Sequence, residues 1–185
     1  MDGLSYAEAI DWSKNFSEQC AEFMRKVPHV TLDNAYKELE NSEFVSGNGN
    51  SKDCYLTSNG NENEKCLYGF FVHHDTSIMN CIYTRFSHNC SFSAYIWKCY
   101  NLHFSYNSEE CRDSWYAFSC DGCQNLLGCV GLKNEQYRIL NTPCSEEEYT
   151  KTLKRIQTEE SFRLEFEKKF HDLREKNGIE KNIIT

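Results

Sequence analysis

The sequence predicts a mainly β protein: a parallel β-helix, or β-solenoid, of about 21 residues per coil, right-handed, with α-helices at both ends. Three observations predict it: a change of composition along the chain, a cysteine spacing in multiples of three, and a longer repeat above that spacing. Residues 45–144 hold 7 Lys/Arg and 9 Asp/Glu, but 10 of the 11 cysteines and 16 of the 26 aromatic residues. The flanks, 1–44 and 145–185, hold the other 13 Lys/Arg and 19 Asp/Glu. This divides the chain into an N-terminal helical cap (1–44), a solenoid (45–144) and C-terminal helices (145–185).

The cysteines of the middle are Cys54, Cys66, Cys81, Cys90, Cys99, Cys111, Cys120, Cys123, Cys129 and Cys144. Every position is a multiple of three. Most other members of that class are small or aliphatic, with Asp75, Glu135 and Arg138 as exceptions. At a step of 21, Cys90 falls on Cys111, Tyr95 on Tyr116 and Tyr137, and Trp97 on Phe118 and Ile139. Asn59, Asn80, Asn101 and Gly122 follow the same step. These residues tolerate left-handed backbone, so they read as a stacked turn. Five such coils at about 4.8 Å would stand about 24 Å tall. A side chain in a strand alternates faces every two residues, so the triplet class cannot all point inward without bends. Either Tyr95 and Trp97 or Ile96 could face inward; Asp75 and Arg138 extend the Ile96/Ala117 column, which favours that column facing out at least at the ends, with the Tyr and Trp rings filling the core.

Residues 5–27 read as a helix whose apolar stripe is Phe16, Cys20, Phe23, Met24 and Val27, stopped by Pro28. Ser145 and Glu148 form a capping box that opens a C-terminal helix. A second helical segment puts Phe162, Phe166, Phe170 and Leu173 on one face and ends at Gly178. The helices are expected to cap the open ends of the solenoid. The Phe162/Phe166/Phe170 stripe is the candidate self-association surface.

Composition excludes several classes. The net charge is −8, without a basic cluster, which argues against a phosphate-backbone binder. No stretch approaches the roughly 18 apolar residues of a membrane span, and no export signal is apparent, so a reducing, cytoplasmic setting is expected. An odd number of cysteines argues against a complete disulfide framework.

The segments DWSKNFSEQCAEFMRKVPH (11–29), NSEFVSGNGNSKDCYL (41–56) and NLLGCVGLKNEQYRILNTPCSEEEY (125–149) carry a resemblance. They resemble a Cys/Tyr-rich family of uncharacterised proteins from candidate-phyla bacteria and environmental metagenomes. Its members show a GCVGL-x-N-x-x-Y-x-I-L-N type segment after Cys/Tyr/Ser-rich repeats. The resemblance spans about residues 10–175 and implies a solenoid, with no reaction attached. Members usually begin with zinc-ribbon modules, which this chain lacks: Cys20 is its one cysteine before Cys54. Arg138 stands where the pattern often has Cys, and Cys144 where it often has an aromatic.

Candidate chemistry is sparse. Cys120 and Cys123 form a CxxC pair, and with Cys129 and either Cys111 or Cys144 could supply four thiolates to zinc; ladder packing explains the same residues without a metal. His73-His74-Asp75 is the one local cluster of imidazole and carboxylate. Trp97, Tyr100, Tyr106, Trp115 and Tyr116 could form an aromatic binding face on the outside of the solenoid. No phosphate loop, nucleophile motif or column of paired carboxylates appears. The residues therefore point to a non-enzymatic scaffold or protein-interaction module without a cofactor, which binds a protein partner or itself and does not bind membrane. The alternative is a carbohydrate-binding or carbohydrate-active β-helix, and after it a zinc-binding protein.

Overall fold

The computed structural model describes residues 3–28 and 38–177. The chain divides into two compact units, one up to residue 33 and one from residue 34. In the N-terminal unit, a 3₁₀ turn (Gly3–Tyr6) and α1 (Phe16–Lys26) replace the single helix expected over 5–27. The helix starts late because side chains hold the preceding residues in a turn. The Asp11 carboxylate accepts the Ser13 N–H and hydroxyl, and Asn15 caps α1 by accepting the Ser17 N–H. Val27 ends the helix in extended backbone, one residue before Pro28, as the proline requires.

The second unit is a parallel β-solenoid that begins at Leu39. One sheet holds six strands, from Ser46–Gly49 and Ser58–Asn61 through Phe70–His73, Ile82–Arg85 and Ala94–Trp97 to Tyr106–Glu109. A second sheet holds Tyr100–His103, Arg112–Trp115, Gln124–Leu127 and Gln136–Ile139. Every parallel pairing joins residue i to residue i+12: Ser46 to Ser58, Phe70 to Ile82, Arg112 to Gln124. The coil is therefore 12 residues, not 21. Eight rungs stack from Ser46 to Val130, which at about 4.8 Å each makes a column nearer 40 Å than 24 Å.

The backbone explains both numbers. From Asn41 to Leu140 the second residue of every triplet has positive φ, between 46° and 67°, without a gap. One such bend each three residues gives four bends, hence four sides, in 12 residues. A step of 21 is one full coil plus three sides, so it moves a residue to the neighbouring corner. Asn59, Asn80, Asn101 and Gly122 all adopt the left-handed conformation the sequence assigns them. They occupy four different corners, however, and do not stack.

The bends also correct the expected core. With one left-handed residue per triplet, side chains repeat with a period of three, and one in three points inward. Every third residue from Val45 to Cys129 is buried. Ile96 is 1% exposed while its neighbours Tyr95 and Trp97 are 49% and 44% exposed, the reverse of the expected arrangement. Asp75 lies fully inside, and Arg138 is half-buried in the last coil, paired with Glu135 at 2.6 Å.

This geometry accounts for the cysteines. Coil-to-coil hydrogen bonds come from the first two residues of a triplet: Tyr55 N–H donates to the Cys66 carbonyl and Tyr68 N–H to the Tyr55 carbonyl, both at 3.0 Å. The N–H of the third residue points inward, and at several rungs a polar side chain one coil earlier receives it. Ser93 Oγ accepts the Ser105 N–H, Ser105 Oγ the Ala117 N–H, and Ser114 Oγ the Leu126 N–H. Cysteine sulfurs take the same place, as Cys123 does toward the Glu135 N–H at 3.4 Å. Their thiols donate to carbonyls in turn: Cys99 to Trp97 and Ser108 at 3.1 Å each, Cys81 to Met79 and Cys90. A cysteine is small enough for a narrow coil, apolar enough to bury, and still a weak acceptor and donor.

At the C-terminal end Thr142–Pro143 folds back antiparallel on Gln136–Ile139 and occupies the last strand edge. Two helices follow, α2 (Glu146–Thr158), whose N-cap Ser145 accepts the Glu148 N–H, and α3 (Glu160–Lys176). Gly178, the expected end of the last helix, lies outside the described residues. The helices do not close the end of the coil as expected. They pack on the outside of its last rungs, where Tyr149, Ile156, Phe166 and Phe170 bury against Tyr116, Phe118, Leu127 and Val130. Gly128, at φ +65°, gives the Phe166 ring its seat: a Cβ there would stand 2.8 Å from the ring. Among the described residues no helix is long and apolar enough to cross a membrane.

Candidate functional site: an uncharged aromatic half of the solenoid

A period of 12 with four sides sorts the outward residues into columns. Side A carries Ser58, Phe70, Ile82, Ala94, Tyr106 and Phe118, and its following corner Asn59, Phe71, Tyr83, Tyr95 and Asn107. Side D, which precedes side A, carries Tyr55, Leu67, Met79, Ser91, His103 and Trp115; the corner between them carries Leu56, Tyr68, Asn80, Phe92, Phe104 and Tyr116. From Phe44 to Leu140 these two sides and their corners hold no Asp, Glu, Lys or Arg. Sides B and C hold all the charged residues of 45–134 except the inward Asp75, among them Lys52, Glu62, Glu64, Arg85, Glu109 and Arg112. The solenoid is amphipathic in cross-section.

On the uncharged half the rings stack rung on rung. Phe71, Tyr83 and Tyr95 lie 4.7 and 5.2 Å apart with planes 5° from parallel. Phe92, Phe104 and Tyr116 lie 5.2 and 5.1 Å apart, 8° and 9° from parallel. Such stacks are offset-parallel contacts of about 0.5–1.5 kcal/mol each and stiffen the bends they sit on. Five rungs by two sides of three residues make an area of about 24 by 20 Å, or on the order of 500 Å². Helices α2 and α3 cover its C-terminal end; the rest is exposed.

The structure divides the five expected binding aromatics. Tyr106 belongs to the uncharged half, and Trp115 is half-buried at its margin against His103, with ring centroids 4.4 Å apart. Tyr116, 5% exposed, is under α3, where its hydroxyl donates to Glu167 at 2.6 Å, so it offers no binding surface. Trp97 and Tyr100 face the charged half, Trp97 beneath the Arg85 guanidinium at 5.1 Å. The members that sequence reasoning missed are Phe70, Phe71, Ile82, Tyr83, Phe92, Tyr95 and Phe104. Their signal was a 12-residue period in the first and second triplet positions, hidden behind the 21-residue coincidence.

The expected self-association stripe is used within the chain. Phe166 and Phe170 are buried, with Tyr116 centroids 6.0 and 5.8 Å away, and Phe162 is half-buried under Arg155 at 3.8 Å. Their apolar area is spent on the solenoid and is closed to a second copy.

The thiols Cys111, Cys120, Cys123 and Cys129 are buried on three inner columns, Cys111 and Cys123 sharing one, and among the described residues no group of three or more His, Cys, Asp or Glu is placed to hold a metal. Burial pushes five of the core thiols up, Cys81, Cys99 and Cys120 to about 11 and Cys90 and Cys129 to about 12, so these five are held as neutral thiols. His73, His74 and Asp75 occupy side, corner and core positions, and their side chains diverge. His74 pairs with Glu62 at 2.9 Å, while burial and then Arg85 hold His73 below its ordinary value. Asp75 accepts the Thr84 hydroxyl and the Ser87 N–H, each at 2.7 Å, and the His73 N–H at 3.0 Å. Burial still raises its carboxyl to about 6.

No protein-family model matches the chain, and no curated protein matches it. Among solved structures it is similar to a crystal structure titled as a "putative acetyltransferase" of Bacillus cereus, at 10% identity and a TM-score of 0.19, covering 75% of this chain and 95% of that one. A likeness of that size bears on neither activity nor substrate.

Proposed function

We propose that this chain is a non-enzymatic β-solenoid scaffold that binds a protein partner through its uncharged half. The observation that carries the reading is the segregation of charge: two adjacent sides without a charged residue from Phe44 to Leu140, lined by exposed rings. Contiguous apolar patches of several hundred Å² mark interaction surfaces on otherwise polar proteins, and depletion of charge with enrichment of Tyr, Phe and Trp is the composition of an interface core.

Ring geometry favours protein over carbohydrate. Sugars stack on ring faces, but in the Phe71–Tyr83–Tyr95 and Phe92–Phe104–Tyr116 ladders the successive rings cover one another's faces and leave only the end faces open. The edges turned outward suit the side chains of another protein. Photo-crosslinking from a benzoylphenylalanine placed at Tyr83, in the native host, tests this, with Thr76 on the charged half as the control position. Discrete protein adducts from position 83 alone are expected; no adduct, or equal labelling from both positions, overturns the reading.

A further inference from the structure

The partner's form can be read from the part of the face that is already occupied. Helix α3 lies against the corner column that descends through Phe92, Phe104, Tyr116, Gly128 and Leu140. Phe166 sits over Gly128 and Leu140 and reaches Tyr116, and Phe170 sits against Tyr116. Going from residue 166 to residue 170, the helix climbs this column toward the N-terminal rungs. Above Tyr116 the column continues with Phe104 and Phe92, stacked at the same spacing, 39% and 49% exposed.

The spacing selects the occupant. Rings on this corner repeat at 5.1–5.2 Å. A helix places one anchor per turn at about 5.4 Å, within about 0.6 Å of the coil repeat of about 4.8 Å. An extended strand, with like-facing residues about 6.7 Å apart, loses register by about 1.9 Å at every step. Length agrees too: five coil steps from Phe104 to Phe44 span about 24 Å, or about 16 residues of helix, and α3 itself has 17 residues.

We infer that the exposed Phe92–Phe104 corner, with Tyr106 and Ile82 on side A and His103 and Met79 on side D, is a docking face for an amphipathic α-helix from another protein. That helix runs along the solenoid axis as a continuation of α3, with a large apolar side chain on each turn. This rests on the protein-partner reading above and specifies the partner as helical. Charge supports an uncharged docking stripe on the helix, because no group on this half could pair a buried charge.

The test uses the full chain and, as probe, a labelled peptide of its own residues 160–176, whose Phe166 and Phe170 already seat on this column. Saturable binding in solution is expected, lost when the three phenylalanines of the peptide are replaced by serine. Phe92→Glu in the protein should weaken binding at least tenfold, while Thr76→Glu on the charged half leaves it unchanged. Glutamate already occupies left-handed corners at Glu62 and Glu110, so the fold accommodates it at residue 92. Phe92→Ser serves as a second variant, with circular dichroism confirming the fold of both. If the serine peptide binds as well as the parent, the inference fails. If an alternating Val-Thr peptide binds in place of the helical one and Phe92→Glu abolishes it, the helix is wrong and the protein-partner reading survives. If neither peptide binds and position 83 yields no protein adduct, both fail. A dimer in sedimentation that Phe92→Glu dissociates assigns this face to a second copy and overturns the inference.

Discussion

Asp75 is a carboxyl group in the middle of the solenoid, fully buried, with its oxygens engaged by Thr84, Ser87 and His73. These donors favour the ionised form, but burial is the larger effect and lifts the carboxyl from 3.8 to about 6. The folded state therefore binds the proton more tightly than the unfolded chain does. Stability from this group is fully present below about pH 4 and is lost as pH rises through about 6. The size of the loss, from the two values, is about 3 kcal/mol. Asp75→Asn removes the titration while keeping the shape, and asparagine fits this column, since Asn63 occupies it one coil earlier and accepts the Asp75 N–H at 3.1 Å. The amide nitrogen then confronts one of the former donors, which costs about 1–3 kcal/mol at every pH. Urea denaturation of both proteins at several pH values from 4 to 7.5 reads the difference between them. The advantage of the natural protein over Asp75→Asn should shrink by about 2–3 kcal/mol from pH 4 to pH 7.5. A difference that stays constant with pH, or grows as pH rises, would refute the reasoning.

Thiol titration should find Cys20 reactive at once and Cys144, half-buried, slower, with the nine buried cysteines reacting only after denaturation; prompt reaction of core thiols would contradict their place in the ladders. Gly128→Ala puts a methyl 2.8 Å from the Phe166 ring and an L side chain at φ +65°, so a loss of about 1–3 kcal/mol is expected by chemical denaturation. Ser105→Ala strands the inward Ala117 N–H and should cost about 1–2 kcal/mol, whereas Ser105→Cys keeps an acceptor in place and should cost less. Equal losses for the two variants would show that the inward N–H groups do not select the core residues.

The position of the cysteines at multiples of three was enough to identify a repeat, and only the structure showed that the class they share is the buried set. What misled was the assumption that strand alternation governs the rest. Tyr95, Ile96 and Trp97 look like a strand with its aromatics on one face, and by period two the rings would go inside. A left-handed residue at Tyr95 changes the period to three and turns both rings out. Bulky aromatics rarely adopt that conformation, so no local signal at Tyr83 or Phe92 announced it. Asn59, Asn80 and Asn101 did announce it, which is why the turns were legible where asparagine stood and not where tyrosine did.

The sequence by itself determined the class of fold, the triplet repeat and the two C-terminal helices, because each depends on short-range chemistry: the size of a side chain, a capping serine, a spacing. The coil length, the outward sides and the uncharged half were decided only by the tertiary structure. Steps of 12 and 21 are both multiples of three and both preserve the inward class. What separates them is the number of bends that close one turn, and closure is a property of the whole coil in hydrogen-bonded register with its neighbours.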